Sequence, residues 1–144
     1  MVLEILATVC AGLFAGAAIY VNAVEHPARL SCGTTLALRQ FAPSYRRGTI
    51  MQASLASLGC LTAVAAWLQT RHLGLLIGGL LLGAVVPFTL VVIFPTNRRL
   101  LDPSLDPQSP QAAGLLVRWG RLHAVRSALS ALAFGILLVC MAQT

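Results

Sequence analysis

Leu73–Asn97 reads LGLLIGGLLLGAVVPFTLVVIFPTN, a stretch without one charged residue. A helix needs about 20 such residues to cross the ~30 Å hydrocarbon core of a bilayer. Three more charge-free runs accompany it: Ile5–Val24, Ile50–Thr70 and Ser127–Thr144. The last is the shortest, and His123 to Arg126 extend it into the interface. Of the 144 residues, 58% are hydrophobic and only 10% charged, and mean hydropathy is +0.83. Soluble domains carry roughly 25% charged residues. The expected fold is therefore an all-α membrane protein, a four-transmembrane-helix bundle running up-down-up-down. It forms one domain over 1–144, with spans at about 3–25, 49–70, 73–97 and 120–142. The first run lacks a basic n-region and is expected to be a retained span rather than a cleaved leader.

Charge orients these spans. The chain has ten basic residues, all arginine. Arg29, Arg39, Arg46 and Arg47 lie between spans one and two. Arg98, Arg99, Arg118, Arg121 and Arg126 lie between span three and the core of span four. Arg71 alone lies on the opposite side. Basic residues in short loops mark the cytoplasmic face, so both termini are expected outside and both long loops inside. The pI of about 10.1 then reflects anionic lipid headgroups rather than nucleic acid, because the arginines flank membrane spans.

Within the spans, small residues recur at four-residue spacing: Gly12 and Gly16, Gly74 and Gly78, Gly79 and Gly83, then Ser127, Ala131 and Gly135. Such faces let helix backbones approach closely. They serve packing inside the bundle, and the same faces offer a seam for an oligomer. Pro87 removes a helical N–H and clashes with the carbonyl of Gly83, so a kink is expected in span three. Thr34–Phe41, ahead of Pro43, reads as a short interfacial helix. Asp102-Pro103 and Asp106-Pro107 read as turns. Ser109-Pro110 offers an N-cap and a first-turn proline, so span four is expected to begin near Pro110 and run through the interface.

The few polar residues at depth punctuate the chain in three places. Glu25-His26-Pro27 closes span one, Pro95-Thr96-Asn97-Arg98 closes span three, and Trp119-x-x-x-His123-x-x-Arg126 opens span four. Alternating spans bring all three clusters to one end of the bundle. Trp119, His123 and Arg126 share one helical face by their spacing. Trp119 suits the headgroup level, whereas ionisable residues deeper in a span usually face the bundle interior or a wet cavity. His26 precedes a proline, which biases its backbone away from helix and is expected to let its side chain swing over the bundle mouth. Histidine can act as base, acid or metal ligand. His26 and His123 with Glu25 are a legitimate ligand set for a transition metal, although no H-E-x-x-H or Glu-x-x-His spacing accompanies them. The cysteines at 10, 32, 60 and 140 contain no Cys-x-x-Cys pair.

Taken together, Gly12-x-x-x-Gly16, Glu25-His26-Pro27-Ala28, Pro87-Phe88-Thr89, Pro95-Thr96-Asn97-x-x-Leu100 and Trp119-x-x-x-His123-x-x-Arg126 resemble the anthrone-oxygenase-like integral membrane family. The resemblance covers nearly the whole chain in order. It implies a membrane-embedded oxygenase acting with dioxygen on a flat aromatic, anthrone-like or related hydrophobic substrate. Bacterial members of the family make a bacterial inner membrane the expected location. The implied catalytic residues are His26, His123, Arg126 and Asn97, and the implied substrate-binding residues are Trp119, Glu25 and Thr96. A histidine would take the acidic C–H proton, while Arg126 and Asn97 stabilise the oxyanion and Trp119 stacks on the substrate. No cofactor is required by that chemistry, though a transition metal on His26 and His123 would make a metal-dependent membrane oxidoreductase instead. A non-catalytic membrane binding or carrier module is the reading from another class.

Overall fold

In a bilayer every backbone polar group must be satisfied within the protein, which helices do locally. The computed structural model describes Met1–Gln143, and these residues form helices joined by turns, with no strand among them. They comprise α1 (Val2–Tyr20), α2 (His26–Ser31), α3 (Thr34–Thr70), α4 (Leu73–Phe88), α5 (Phe94–Leu100) and α6 (Pro110–Ala142). Four continuous helical stretches are long and apolar enough to span a membrane: Val2–Ser31, Thr34–Thr70, Leu73–Leu100 and Pro110–Ala142. Their outward faces carry large apolar side chains such as Leu13, Leu61, Leu80, Val91 and Leu132. In water such a surface would drive aggregation; against lipid it is the solvated face. This is an integral membrane helix bundle.

The helices form a ring in which α1 and α4 each pack on α3 and α6. Contacts run in opposite senses along each neighbouring pair. On α1 and α6, Gly12 lies against Phe134 while Asn22 reaches Gly120. Between α3 and α4 the approach is close at Gly79, where a Cβ would stand 2.6 Å from that of Ala63. Gly78 admits Leu137 of α6 in the same way. Gly12, Gly74, Gly78, Gly79 and Gly83 thus serve packing within the bundle, whereas Gly16 and Gly135 have no neighbour within 4 Å of a Cβ.

Helices continue where proline is expected to end or bend them. Glu25 and α2 are joined to α1 by a π-helical turn, Val21–Glu25, and α5 is joined to α4 by another, Thr89–Ile93. In each, an N–H reaches five residues back: His26 to Val21 and Phe94 to Thr89. Each donor immediately precedes a proline, Pro27 or Pro95. The wider turn moves the carbonyl four residues back away from the proline ring, relieving the clash an α-helix would impose. His26 accordingly keeps helical angles, φ −68° and ψ −44°, contrary to the extended backbone expected before proline. Breaking the helix would strand N–H and C=O groups at several kcal/mol each, more than a disfavoured pre-proline conformation costs. α3 likewise continues through Pro43, so the expected interfacial helix and span two are one 37-residue helix. Pro87 sits inside α4, and the irregular geometry falls just after it, in the turn at Thr89–Ile93.

The connection from α5 to α6 is the run of turns the sequence indicates. Asp102 accepts from the Ser104 N–H at 2.9 Å and from its hydroxyl at 2.7 Å. These bonds hold the exposed Asp102 carboxyl below its ordinary range. Ser109 then caps α6, its hydroxyl accepting from the Ala112 N–H at 3.2 Å.

Two apolar clusters fill the interior. One surrounds Phe14, Leu82, Val85 and Leu137; the other surrounds Phe41, Ile93, Leu116 and Trp119. Outside both clusters, Asn22, His123 and Ser127 form one hydrogen-bonded group and Gln52 with Arg126 another.

Candidate active site

A cavity of about 590 Å³ is walled by α1, α3 and α6, with Ile93 and Asn97 closing it from the α4–α5 side. That volume lies in the ~300–1,000 Å³ range of small-molecule sites. Its well-exposed wall residues, among them Tyr20, Arg47 and Met51, belong to α1 and α3. The cavity therefore opens sideways, between those two helices.

His123 lies on the cavity wall with 3% of its surface exposed. Its Nδ1 is 2.6 Å from Asn22 Oδ1. The orientation of the Asn22 amide is fixed independently, because its Nδ2 donates to the Gly120 carbonyl at 3.0 Å. A carbonyl only accepts, so nitrogen must face Gly120 and oxygen must face His123. The Ser127 hydroxyl donates to the same oxygen at 2.6 Å. Asn22 Oδ1 then accepts from an Nδ1–H, and the lone pair of the neutral imidazole resides on Nε2. Asn22 can reach α6 from the π-helical turn at Val21–Glu25.

Three residues along α6 from His123, Arg126 donates to Gln52 Oε1 and lays its guanidinium 5.0 Å from the Phe14 ring centroid. Its Nε has no partner. A hydrogen bond from a charged group is worth roughly 1.5–3 kcal/mol and a cation–π contact roughly 0.5–2, against a desolvation penalty of several kcal/mol. These neutral contacts position Arg126 without cancelling its charge.

Trp119 completes the face, as helical spacing predicts, but it is a wall rather than a platform. His123 stacks on it at 4.7 Å, His26 tilts against it at 5.1 Å, and Phe41 meets it edge-on at 5.3 Å. The Arg29 guanidinium lies 5.7 Å from the same ring. With 6% of Trp119 exposed, little surface is left for a flat substrate to stack on.

His26 does not line the cavity. It is 6% exposed and packs behind Trp119. A Cβ placed on Gly120 would stand 2.6 Å from its Nε2. Because the helix does not break at Pro27, the imidazole points into the α6 surface instead of swinging over the mouth. The two histidines consequently do not converge on one open site, and no cluster of three or more His, Cys, Asp or Glu side chains fit for a metal occurs among the described residues. Thr96 is likewise buried at 2% exposure and off the cavity wall, whereas its neighbour Asn97, 1% exposed, is on it. Asn97 Oδ1 has no hydrogen-bond partner. Glu25 reaches the wall, but its Oε1 is held by Arg29, Gln40 and Ser44. It ties α2 to α3 through that one oxygen.

The anthrone oxygenase family model matches residues 41–136, more than half of the chain. The chain belongs to the anthrone oxygenase family. It is similar to anthrone oxygenase TpcL of Aspergillus fumigatus, 31% identical over 131 residues that cover 84% of this chain and 81% of that protein. No solved structure matches it. The segment matched by the anthrone oxygenase family contains Gln52, Asn97, Trp119, His123 and Arg126, whereas Asn22 and Glu25 precede it. Asn22, Gln52 and Arg29 are cavity-forming or cavity-supporting residues that the sequence motifs left out. An amide inside a charge-free run marks the first two, Asn22 being the one amide in its run and Gln52 one of two in its own, since polar groups at membrane depth rarely lack a role. For Arg29 the signal is the i,i+4 spacing from Glu25.

Proposed function

We propose that this protein is a membrane oxygenase that oxidises a flat aromatic ketone of the anthrone type with dioxygen, using His123 as the base. The observation that carries this reading is the pinned imidazole: with Nδ1 turned to Asn22, Nε2 is the nitrogen left to face a substrate in the cavity. Family membership supports the reaction class.

Each step uses a group on the cavity wall. His123 Nε2 removes a proton from the methylene carbon, and the electron pair moves onto the ketone oxygen. Arg126 stabilises the resulting oxyanion, with Gln52 holding the guanidinium in place. Asn97 offers a further hydrogen bond to substrate oxygen. The electron-rich carbon reduces and bonds dioxygen, and the imidazolium returns its proton to the peroxide. Loss of water from that hydroperoxide leaves a new carbonyl, so one dioxygen is consumed and one water released per quinone formed. The arginine-rich loops favour the cytoplasmic face for this end of the bundle, and an opening between α1 and α3 would admit a substrate dissolved in the bilayer.

The test is oxygen consumption by protein purified in detergent or nanodiscs on addition of an anthrone, corrected for spontaneous oxidation. Enzymatic uptake at one dioxygen per quinone is expected. A rate equal to that of the protein-free control would remove the proposal and leave a binding module.

Asn22 is a positioning residue in this account, since it is not on the cavity wall. Asn22→Leu frees the imidazole to change tautomer and is expected to lower kcat by ~10–100-fold with KM little changed. Asn22→Asp keeps an acceptor toward Nδ1 and should retain most of the activity. Equal losses in both variants would argue against tautomer control.

A further inference from the structure

We infer that the cavity is an anion site, built to take a flat aromatic acid bound as its aryl oxyanion, a carboxylate or phenolate, with the negative oxygen on Arg126. Charge counting leads there first. The chain has four acidic residues, and none is free for Arg126. Glu4 lies at the far end of α1, beside the N-terminal amine. Asp102 and Asp106 serve the turns before α6. Glu25 is engaged by Arg29, Gln40 and Ser44. The cavity wall therefore holds two inward guanidiniums, Arg29 and Arg126, against one carboxylate that Arg29 already uses.

Unused hydrogen-bonding capacity points the same way. Arg126 Nε, Arg29 Nε and Nη1, and Asn97 Oδ1 are buried without partners, and all three residues line the cavity. Buried charges are normally paired. A ligand oxyanion supplies the missing counter-charge to Arg126, and a ligand hydroxyl suits the empty acceptor on Asn97. Beside Gln40, Ser44, Arg47, Thr49 and Gln52 toward α3, the wall offers an apolar and aromatic surface: Phe41 and Tyr45 lie stacked 5.8 Å apart with Val21 and Ile93 nearby. That combination fits rings bearing an acid better than an inorganic anion. It does not fit a phospholipid phosphate. Arg126 lies seven residues beyond Trp119, the headgroup-level residue of α6, about 10 Å further along the helix, and so below the plane of the phosphates.

This inference assumes the cavity is the substrate site proposed above, and it is read by binding rather than turnover. The chain has two tryptophans, and Trp67→Phe leaves Trp119, in the cavity wall, as the reporter. In phosphatidylcholine nanodiscs, quenching is titrated with anthracene-2-carboxylate, its methyl ester, and anthracen-2-ol below and above its ionisation. The carboxylate or the phenolate should bind at least tenfold more tightly than its uncharged counterpart. Arg126→Gln should abolish that preference and leave ester binding unchanged; the anion that loses more names the source of the charge. Equal binding of acid and ester, or a preference that survives Arg126→Gln, would overturn the inference. So would Arg126-dependent displacement of the probe by phosphatidylglycerol, which would make lipid the occupant. Oxygen uptake measured on the same preparations separates the two claims. Turnover without anion preference removes only this inference, and anion preference without turnover removes only the oxygenase.

Discussion

His123→Ala is expected to lower anthrone-dependent oxygen uptake by about 10²–10⁴-fold, the usual contribution of a positioned general base. Alanine also deletes the bond to Asn22 and the stack on Trp119, so loss of fold would confuse the result. His123→Gln avoids this: its amide can donate to Asn22 Oδ1 and fill much of the same space, yet it has no basic lone pair. Both variants should be inactive, and His123→Gln should elute as the wild type does and keep its helical circular dichroism. An active, folded His123→Gln protein would take His123 out of the mechanism.

Arg126→Gln carries the second largest expected effect. Removing a single oxyanion-stabilising donor typically costs about 10²–10³ in kcat. Stability should move the other way. Arg126 is a half-buried cation whose contacts are an amide oxygen and an aromatic ring, and a neutral side chain in its place relieves the desolvation penalty. Thermal unfolding midpoints equal to or above wild type, with kcat down by two or more decades, would identify a charge kept for chemistry. A variant that unfolds earlier with unchanged kcat would make Arg126 structural.

How far the sequence carries this picture depends on which interaction decided each residue's place. The four helical stretches follow from runs such as Leu73–Asn97, because bilayer length and backbone satisfaction leave few alternatives. The shared face of Trp119, His123 and Arg126 follows from helical spacing, which nothing interrupts in α6. Ser109 caps α6 by a local rule that needs no tertiary context. His26 is the opposite case. Its local bias before Pro27 lost to the cost of breaking a helix in lipid, and a π-helical turn absorbed the difference. Pro43 also stays within α3. Glu25 is locked by Gln40 and Ser44, fifteen and nineteen residues further along, and local reading cannot weigh such contacts. Asn22 and Gln52 owe their significance entirely to α6, the former across a separation of 101 residues.

One measurement addresses the central claim most directly: oxidation of an anthrone under ¹⁸O₂ by the wild-type protein, in a single assay with His123→Gln. The mechanism predicts quinone carrying one ¹⁸O per newly formed carbonyl, produced at a rate that falls to the spontaneous background in the variant. Quinone formed no faster than background by the wild type, or labelled quinone formed equally fast by both proteins, would contradict it.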